Sequence, residues 1–228
     1  MLACAAVLAA CSRAPSPPVN VEDREQVREV VREYLINDPA LLKDALDALA
    51  ARQENSRWEE MKSAQHDYAI GPENAAITIV EYFDYRCPYC HAAAEWVFDV
   101  AKSRRDVRVI FKEFPVLGPE SLEAARAAIA SLKQGKYEPF HRALMSYRGD
   151  LTSDAIDNIA RQNGLDVGRM RRDMANPEID EILNRNHELA VSANVTGTPG
   201  FIINGELQAG FNRAALQARL SELSRAQP

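Results

Sequence analysis

The stretch Ala76-Ile77-Thr78-Ile79-Val80-Glu81-Tyr82-Phe83-Asp84-Tyr85-Arg86-Cys87-Pro88-Tyr89-Cys90-His91-Ala92-Ala93-Ala94-Glu95-Trp96-Val97-Phe98 decides the fold. Its first part, Ala76 to Phe83, is an apolar, β-branched run that predicts a core strand. Its last part, from His91, carries the composition of a helix. Between them stand Cys87-Pro88-Tyr89-Cys90. Two cysteines two residues apart can close a disulfide and reopen it. Placed between a strand and a helix, the spacing reads as a redox site. Far downstream, Val195-Thr196-Gly197-Thr198-Pro199-Gly200-Phe201-Ile202-Ile203-Asn204-Gly205 sets a proline before a short apolar strand and a hairpin turn after it.

The redox helix is expected to run from about Cys87 to Ser103. A thiolate, not a thiol, attacks a disulfide. Cys87 falls where the first helical turn leaves backbone N–H groups unpaired and the helix dipole is positive. Both favour the anion, so Cys87 is the expected exposed nucleophile. Cys90, one turn further in, is the more buried resolving thiol. Pro88 begins the helix without needing its missing N–H. Tyr89 is placed to tune the thiolate. His91 either adds positive charge or is a solvated helix residue. The alternative is a structural cysteine pair or half a zinc site. Zinc takes about four ligands and the chain has no second Cys-x-x-Cys pair, so no metal site is expected. His66, His141 and His187 form no cluster in the sequence.

The chain has 228 residues, 46% of them hydrophobic, enough for one large domain or a domain with an appendage. A net charge of -6 without a basic stripe gives no reason to expect nucleic-acid binding. Cys4 and Cys11 are the other cysteines, and both lie in an apolar leader, residues 1–11, too short to span a bilayer. Leu8-Ala9-Ala10-Cys11-Ser12 is similar to a bacterial lipobox, which marks Cys11 as the expected lipidation site. No Lys or Arg precedes Cys11, so the usual positive n-region is missing. Processing there discards Cys4. Residues 12–20, with Pro15, Pro17 and Pro18, read as an extended tether.

Residues 21–68 read as an N-terminal helical segment. Val27, Val30, Val31, Tyr34 and Leu35 recur at helical spacing, Asp38-Pro39 breaks and restarts the helix, and Leu42, Ala45, Leu46 and Leu49 continue the stripe. The stripe buries either on the chain's own globular domain or through self-association. Gly71-Pro72 marks the domain boundary. After it come the strand at Ile77–Phe83, the redox helix, and a strand over 106–114 that alternates as if half-buried. Residues 119–193 are helical almost throughout, with one helix after a Ser153 cap. A strand pair and a helix from Arg213 to Ser224 finish the chain. Residues 72–118 and 194–226 thus form an α/β domain into which 119–193 are inserted.

This topology, with Phe83-Asp84-Tyr85-Arg86-Cys87-Pro88-Tyr89-Cys90 and Gly197-Thr198-Pro199-Gly200-Phe201, closely resembles the DsbA family of bacterial thiol:disulfide oxidoreductases, from about Ala76 to Ser224. The N-terminal helices, with Tyr34-Leu35-Ile36-Asn37-Asp38-Pro39, resemble those of its ScsC and Com1-like branch. The resemblance implies a thioredoxin-like fold with a helical insertion and a cis peptide bond at Thr198-Pro199 that holds client backbone. It implies a buried Glu81, six residues before Cys87, able to accept the resolving thiol's proton. Lys112 on the neighbouring strand is then either its partner or an exposed charge. It also implies trimerisation through the leader helices.

The function expected is an exported, periplasmic and lipid-anchored thiol:disulfide oxidoreductase with no cofactor beyond its dithiol. Its partners would be cysteine-containing exported proteins and a membrane redox-recycling partner. The helical leader and Thr198 favour isomerase or reductase over oxidase. The competing readings are a Cu(I)-binding copper-tolerance protein using Cys87, Cys90 and His91, and a non-catalytic surface lipoprotein.

Overall fold

The computed structural model describes residues 23–226. The expected leader, Cys11 and the tether lie outside the described residues. The chain divides into two compact units between Gln53 and Glu54.

The first unit is helical. Helix α1 (Arg24–Asn37) is capped by Asp23, whose carboxylate accepts the N–H groups of Glu25 and Gln26. Helix α2 (Pro39–Met61) starts at the proline, where a missing N–H costs nothing. Val31, Tyr34, Ile36, Leu42, Leu46 and Leu49 are all exposed on these helices.

The second unit takes in the end of α2. Trp58 and Met61, the apolar residues of an otherwise polar stretch, belong to its core. The expected helical segment therefore ends earlier than residue 68. Tyr68–Ile70 form an edge strand, β1, that the sequence reading missed. The other strands are β2 (Ile77–Phe83), β3 (Val107–Glu113), β4 (Gly200–Ile203) and β5 (Glu206–Ala209). Their order is β1-β3-β2-β4-β5, with β2 and β3 parallel and the other pairs antiparallel. Asn204 and Gly205 make the β4–β5 turn with positive φ angles of 47° and 90°.

Helix α3 (Pro88–Ser103) connects β2 to β3. The insertion comprises α4 (Pro119–Leu132), α5 (Tyr137–Ser146), α6 (Ser153–Gln162), α7 (Val167–Met174) and α8 (Pro177–Ser192). The side chain of Thr152, not Ser153, caps α6 by accepting the Ala155 N–H. Helix α9 (Arg213–Arg225) ends the fold.

Each face of the sheet has its own core. Ile79, Phe83, Val109, Phe111 and Phe201 pack with Ala93, Trp96 and Val97 of α3 and with Leu216 and Leu220 of α9. Val80, Tyr82, Ile110 and Ile202 pack with Met61 of α2 and with Leu189 and Ala190 of α8. Strand β3 is covered on both sides and is not the half-buried strand its alternation suggested. Lys112, expected either to partner Glu81 or to be an exposed charge, is 2% exposed, as is Glu113 beside it.

Candidate active site around Cys87 and Cys90

The loop from β2 to α3 hangs from one buried carboxylate. Asp84 Oδ1 accepts the Arg86 N–H and the Ser121 hydroxyl, each at 2.7 Å. Its Oδ2 accepts the N–H groups of Val116 at 2.8 Å and Leu117 at 2.9 Å. The Asp84 carbonyl accepts the Cys87 N–H at 3.1 Å. Buried polar groups need such partners, and here they fix the approach to the cysteines.

Cys87 is the N-cap residue of α3, with Pro88 at the first helical position. Both thiols are free. The Thr198–Pro199 bond is cis, and the Thr198 carbonyl accepts the Cys87 thiol at 3.1 Å. That loop covers the sulfur, so Cys87 is 4% exposed rather than open to solvent. Cys90 is fully buried. The Cys90 thiol, by hydrogen bonding to it, lowers the Cys87 pKa to about 5; burial opposes this, and the Thr198 side chain and the N–H groups of Cys90 and Tyr89 add to the lowering. Cys90 moves the other way, chiefly through burial, then its bond to Cys87 and the nearby charge of Glu81. One sulfur is equipped to ionise and its neighbour to keep its proton.

Glu81 is buried on the face of the sheet that carries α3, and burial raises its pKa to about 8. Lys112 is not its partner. In the β2–β3 register Glu81 stands opposite Phe111 and Lys112 opposite Tyr82, so the two side chains point to opposite faces. Lys112 instead donates to Asp67 at 2.5 Å and to the Ser63 carbonyl at 3.3 Å. Asn186 completes this group by donating to Asp67 at 3.2 Å.

His91 Nε2 lies 2.6 Å from the Tyr85 carbonyl and Nδ1 3.3 Å from Arg148 Nη1. A carbonyl only accepts and a guanidinium only donates. The ring is therefore a neutral imidazole protonated at Nε2, and the positive charge expected there belongs to Arg148. With both nitrogens engaged, His91 is also not free to act as a third soft ligand. Among the described residues no group of three or more His, Cys, Asp or Glu is placed to hold a metal ion. Tyr89 is 67% exposed.

Sequence reasoning missed a buried polar group beneath the loop. Glu113 Oε1 accepts the Tyr85 hydroxyl at 2.9 Å and the Tyr137 hydroxyl at 2.8 Å. Tyr85 also meets His141 Nδ1 at 2.9 Å. Burial pushes the Glu113 carboxyl well up and takes His141 down to about 3. A phenol that donates to Glu113 accepts from His141, so His141 is neutral and carries its proton on Nδ1.

Two of these shifts oppose each other. Folding holds the Cys87 pKa at about 5 against 9.0 for a free thiol, so it adds stability above pH 9 that is lost as pH falls towards 5. Folding raises Glu81 from 4.5 to about 8, so its contribution is present at low pH and lost as pH rises through that window. Between pH 5 and 8 the reduced Cys87→Ala variant is therefore expected to lose stability with rising pH more steeply than the reduced parent. Urea unfolding across that range measures both slopes, and equal slopes would refute the Cys87 shift.

Comparison with known proteins places this architecture. Residues 78–222 match the DSBA-like thioredoxin domain, and residues 23–55 match the copper resistance protein ScsC N-terminal domain. A thioredoxin-like oxidoreductase from Silicibacter pomeroyi DSS-3 superposes with a TM-score of 0.69 at 36% identity, over 73% of this chain and 97% of that one. A periplasmic thioredoxin-like protein from Salmonella enterica serovar Typhimurium superposes at 0.62 and 28% identity, over 69% of this chain and 90% of that one. The Na(+)/H(+) antiporter NhaA 3 of Salinispora tropica is 31% identical over 155 residues, which are 67% of this chain. The chain spans only 24% of that antiporter's length. With a matched domain covering well over half its residues, this chain belongs to the family of DSBA-like thioredoxin domains.

Proposed function

We propose that the protein is an exported thiol:disulfide oxidoreductase that works mainly from its reduced state, as an isomerase or reductase of protein disulfides. The observation that carries the thiol-exchange reading is Cys87, held at the N-terminus of α3 with its pKa lowered to about 5; the preference for isomerase or reductase rests on the N-terminal helices and Thr198. At neutral pH that sulfur is a thiolate. It attacks one sulfur of a client disulfide; the Cys87–client bond forms as the client bond breaks, and the client's other sulfur leaves as a thiolate. Cys90, after losing its proton, attacks Cys87 and releases the client reduced. Glu81, the buried carboxylate whose charge acts on Cys90, is the proposed acceptor of that proton. If a different client thiolate attacks the client sulfur of the mixed disulfide first, a new client disulfide forms as the Cys87–client bond breaks, and the Cys87 thiolate is regenerated.

The Thr198–Pro199 loop supports the client-binding role assigned to it, since it already touches the reacting sulfur. The periplasm is an oxidising compartment in which client disulfides persist, and the similar Salmonella protein is periplasmic. There the clients would be cysteine-containing exported proteins, and a membrane electron donor would return the dithiol. A lipid anchor at Cys11 would confine the reaction to the membrane surface.

Reactivation of a scrambled-disulfide protein by the reduced chain tests the direction. Reactivation dependent on Cys87 is expected. Failure to reactivate, with rapid oxidation of a reduced peptide by the disulfide form, would make the protein an oxidase.

The exposed apolar residues of α1 and α2 support self-association through these helices. Removal of residues 1–53 is expected to leave a folded, redox-active unit of lower oligomeric state by light scattering. The cut must stop there, because Trp58 and Met61 belong to the core of the second unit. A monomeric full-length chain would refute the association.

A further inference from the structure

Beside the first turn of α3 lies a cleft of about 390 Å³, walled by the pre-cysteine loop, His91, Glu120 and the α5–α6 connection. Two arginines line it in different electrostatic states. Arg86 Nη1 donates to Glu120 at 3.0 Å and to the Leu117 carbonyl at 2.6 Å, so its charge is matched. Arg148 Nη1 donates to the carbonyls of Met145 at 2.8 Å and Tyr147 at 3.1 Å, and reaches His91 Nδ1 at 3.3 Å. All three acceptors are neutral. Arg148 has no ion-pair partner among the described residues, and its side chain is exposed. The guanidinium is held in place while its charge and its remaining N–H groups face the cleft unmatched. Such a fork is suited to a carboxylate, and little ordering entropy remains to be lost when one binds.

Position says whose carboxylate it is. Cys87 follows Arg86, which lines this cleft, and its sulfur bonds Thr198, which lines a second cleft of about 160 Å³ along the cis-proline loop. The reacting sulfur thus stands between two recesses that share no residue. A polypeptide crossing Cys87 from the Thr198 side would bring residues flanking its own cysteine to Arg148.

We infer that this cleft is a client subsite for an acidic side chain close in sequence to the client's reactive cysteine, with Arg148 as its cation. The inference rests on the thiol-exchange reading above. Asp150 also lines the cleft without an ion-pair partner among the described residues and opposes an incoming acid. Arg148 sets the preference and Asp150 limits it.

The test uses the full-length oxidised protein and three reduced peptides identical except for Glu, Gln or Lys two residues from their single cysteine. Rates of thiol exchange are compared at low and high salt. The Glu peptide is expected to react faster than the Gln peptide by up to roughly fivefold, the ceiling for one exposed charge pair, with Lys slowest and the spread narrowing in salt. Arg148→Gln should bring the Glu-to-Gln ratio to about one, and Asp150→Asn should increase it. Equal rates for the three peptides, or an acid preference that survives Arg148→Gln, would overturn the subsite while leaving thiol exchange intact. No exchange with any peptide would overturn the underlying redox reading and the subsite with it.

Discussion

Cys87→Ala is expected to abolish thiol exchange, a loss on the order of a thousandfold or more, since it removes the nucleophile itself. Cys90→Ala is expected to fail differently. The first attack needs only the Cys87 thiolate, and the variant keeps the N-cap position, the backbone N–H groups and the Thr198 side-chain hydrogen bond that favour it. It loses the second attack, so client proteins should accumulate as mixed disulfides on Cys87. It also loses the strongest influence lowering the Cys87 pKa, the hydrogen bond from Cys90. Thiolate absorbance should therefore titrate at higher pH in Cys90→Ala than in the reduced parent. Non-reducing electrophoresis of exported proteins reads the first result and ultraviolet titration the second. An adduct-free Cys90→Ala variant would refute the division of labour between the two sulfurs.

The largest stability effect is expected on the far face of the sheet. The Lys112 and Asp67 side chains are only 2% and 6% exposed and pair at 2.5 Å. Removing one partner of a buried ion pair leaves an uncompensated charge, which costs about 3–5 kcal/mol. Lys112→Met should therefore lower the melting temperature by roughly 6–20 °C, at about 2–4 °C per kcal/mol for a unit of this size. Adding Asp67→Leu should restore most of that loss, because the stranded carboxylate is gone. Calorimetry of the reduced single and double variants measures both. If the double variant were no more stable than Lys112→Met, the cost would lie in packing rather than in charge.

The site was legible where short-range chemistry decides it. Cys87-Pro88-Tyr89-Cys90 between an apolar strand and a helix gave β2 and α3 nearly to the residue, because proline, helix start and strand end are local features. Asn204-Gly205 gave the β4–β5 hairpin for the same reason. The failures are long-range. Whether Lys112 meets Glu81 depends on a one-residue register between β2 and β3, which neither strand encodes alone. Glu113 comes to Tyr85 from β3, and Tyr137 and His141 come from α5, so no spacing near Tyr85 in the sequence announces them. Asp84 reads as an ordinary turn residue until Ser121 and the Val116–Leu117 backbone fold onto it. Strand β1 is three half-buried residues at an edge, too short to show a period.

The opposite orientation of Glu81 and Lys112 has a consequence for how this molecule can be altered. The sheet works as a partition, with the Asp67–Lys112 lock on one side and the thiols with Glu81 on the other. Substitutions among Asp67, Lys112 and Asn186 therefore adjust heat tolerance with little effect on reduction potential. A hardened version for use as a folding reagent is best sought behind the partition, where robustness can be changed without retuning the sulfur chemistry.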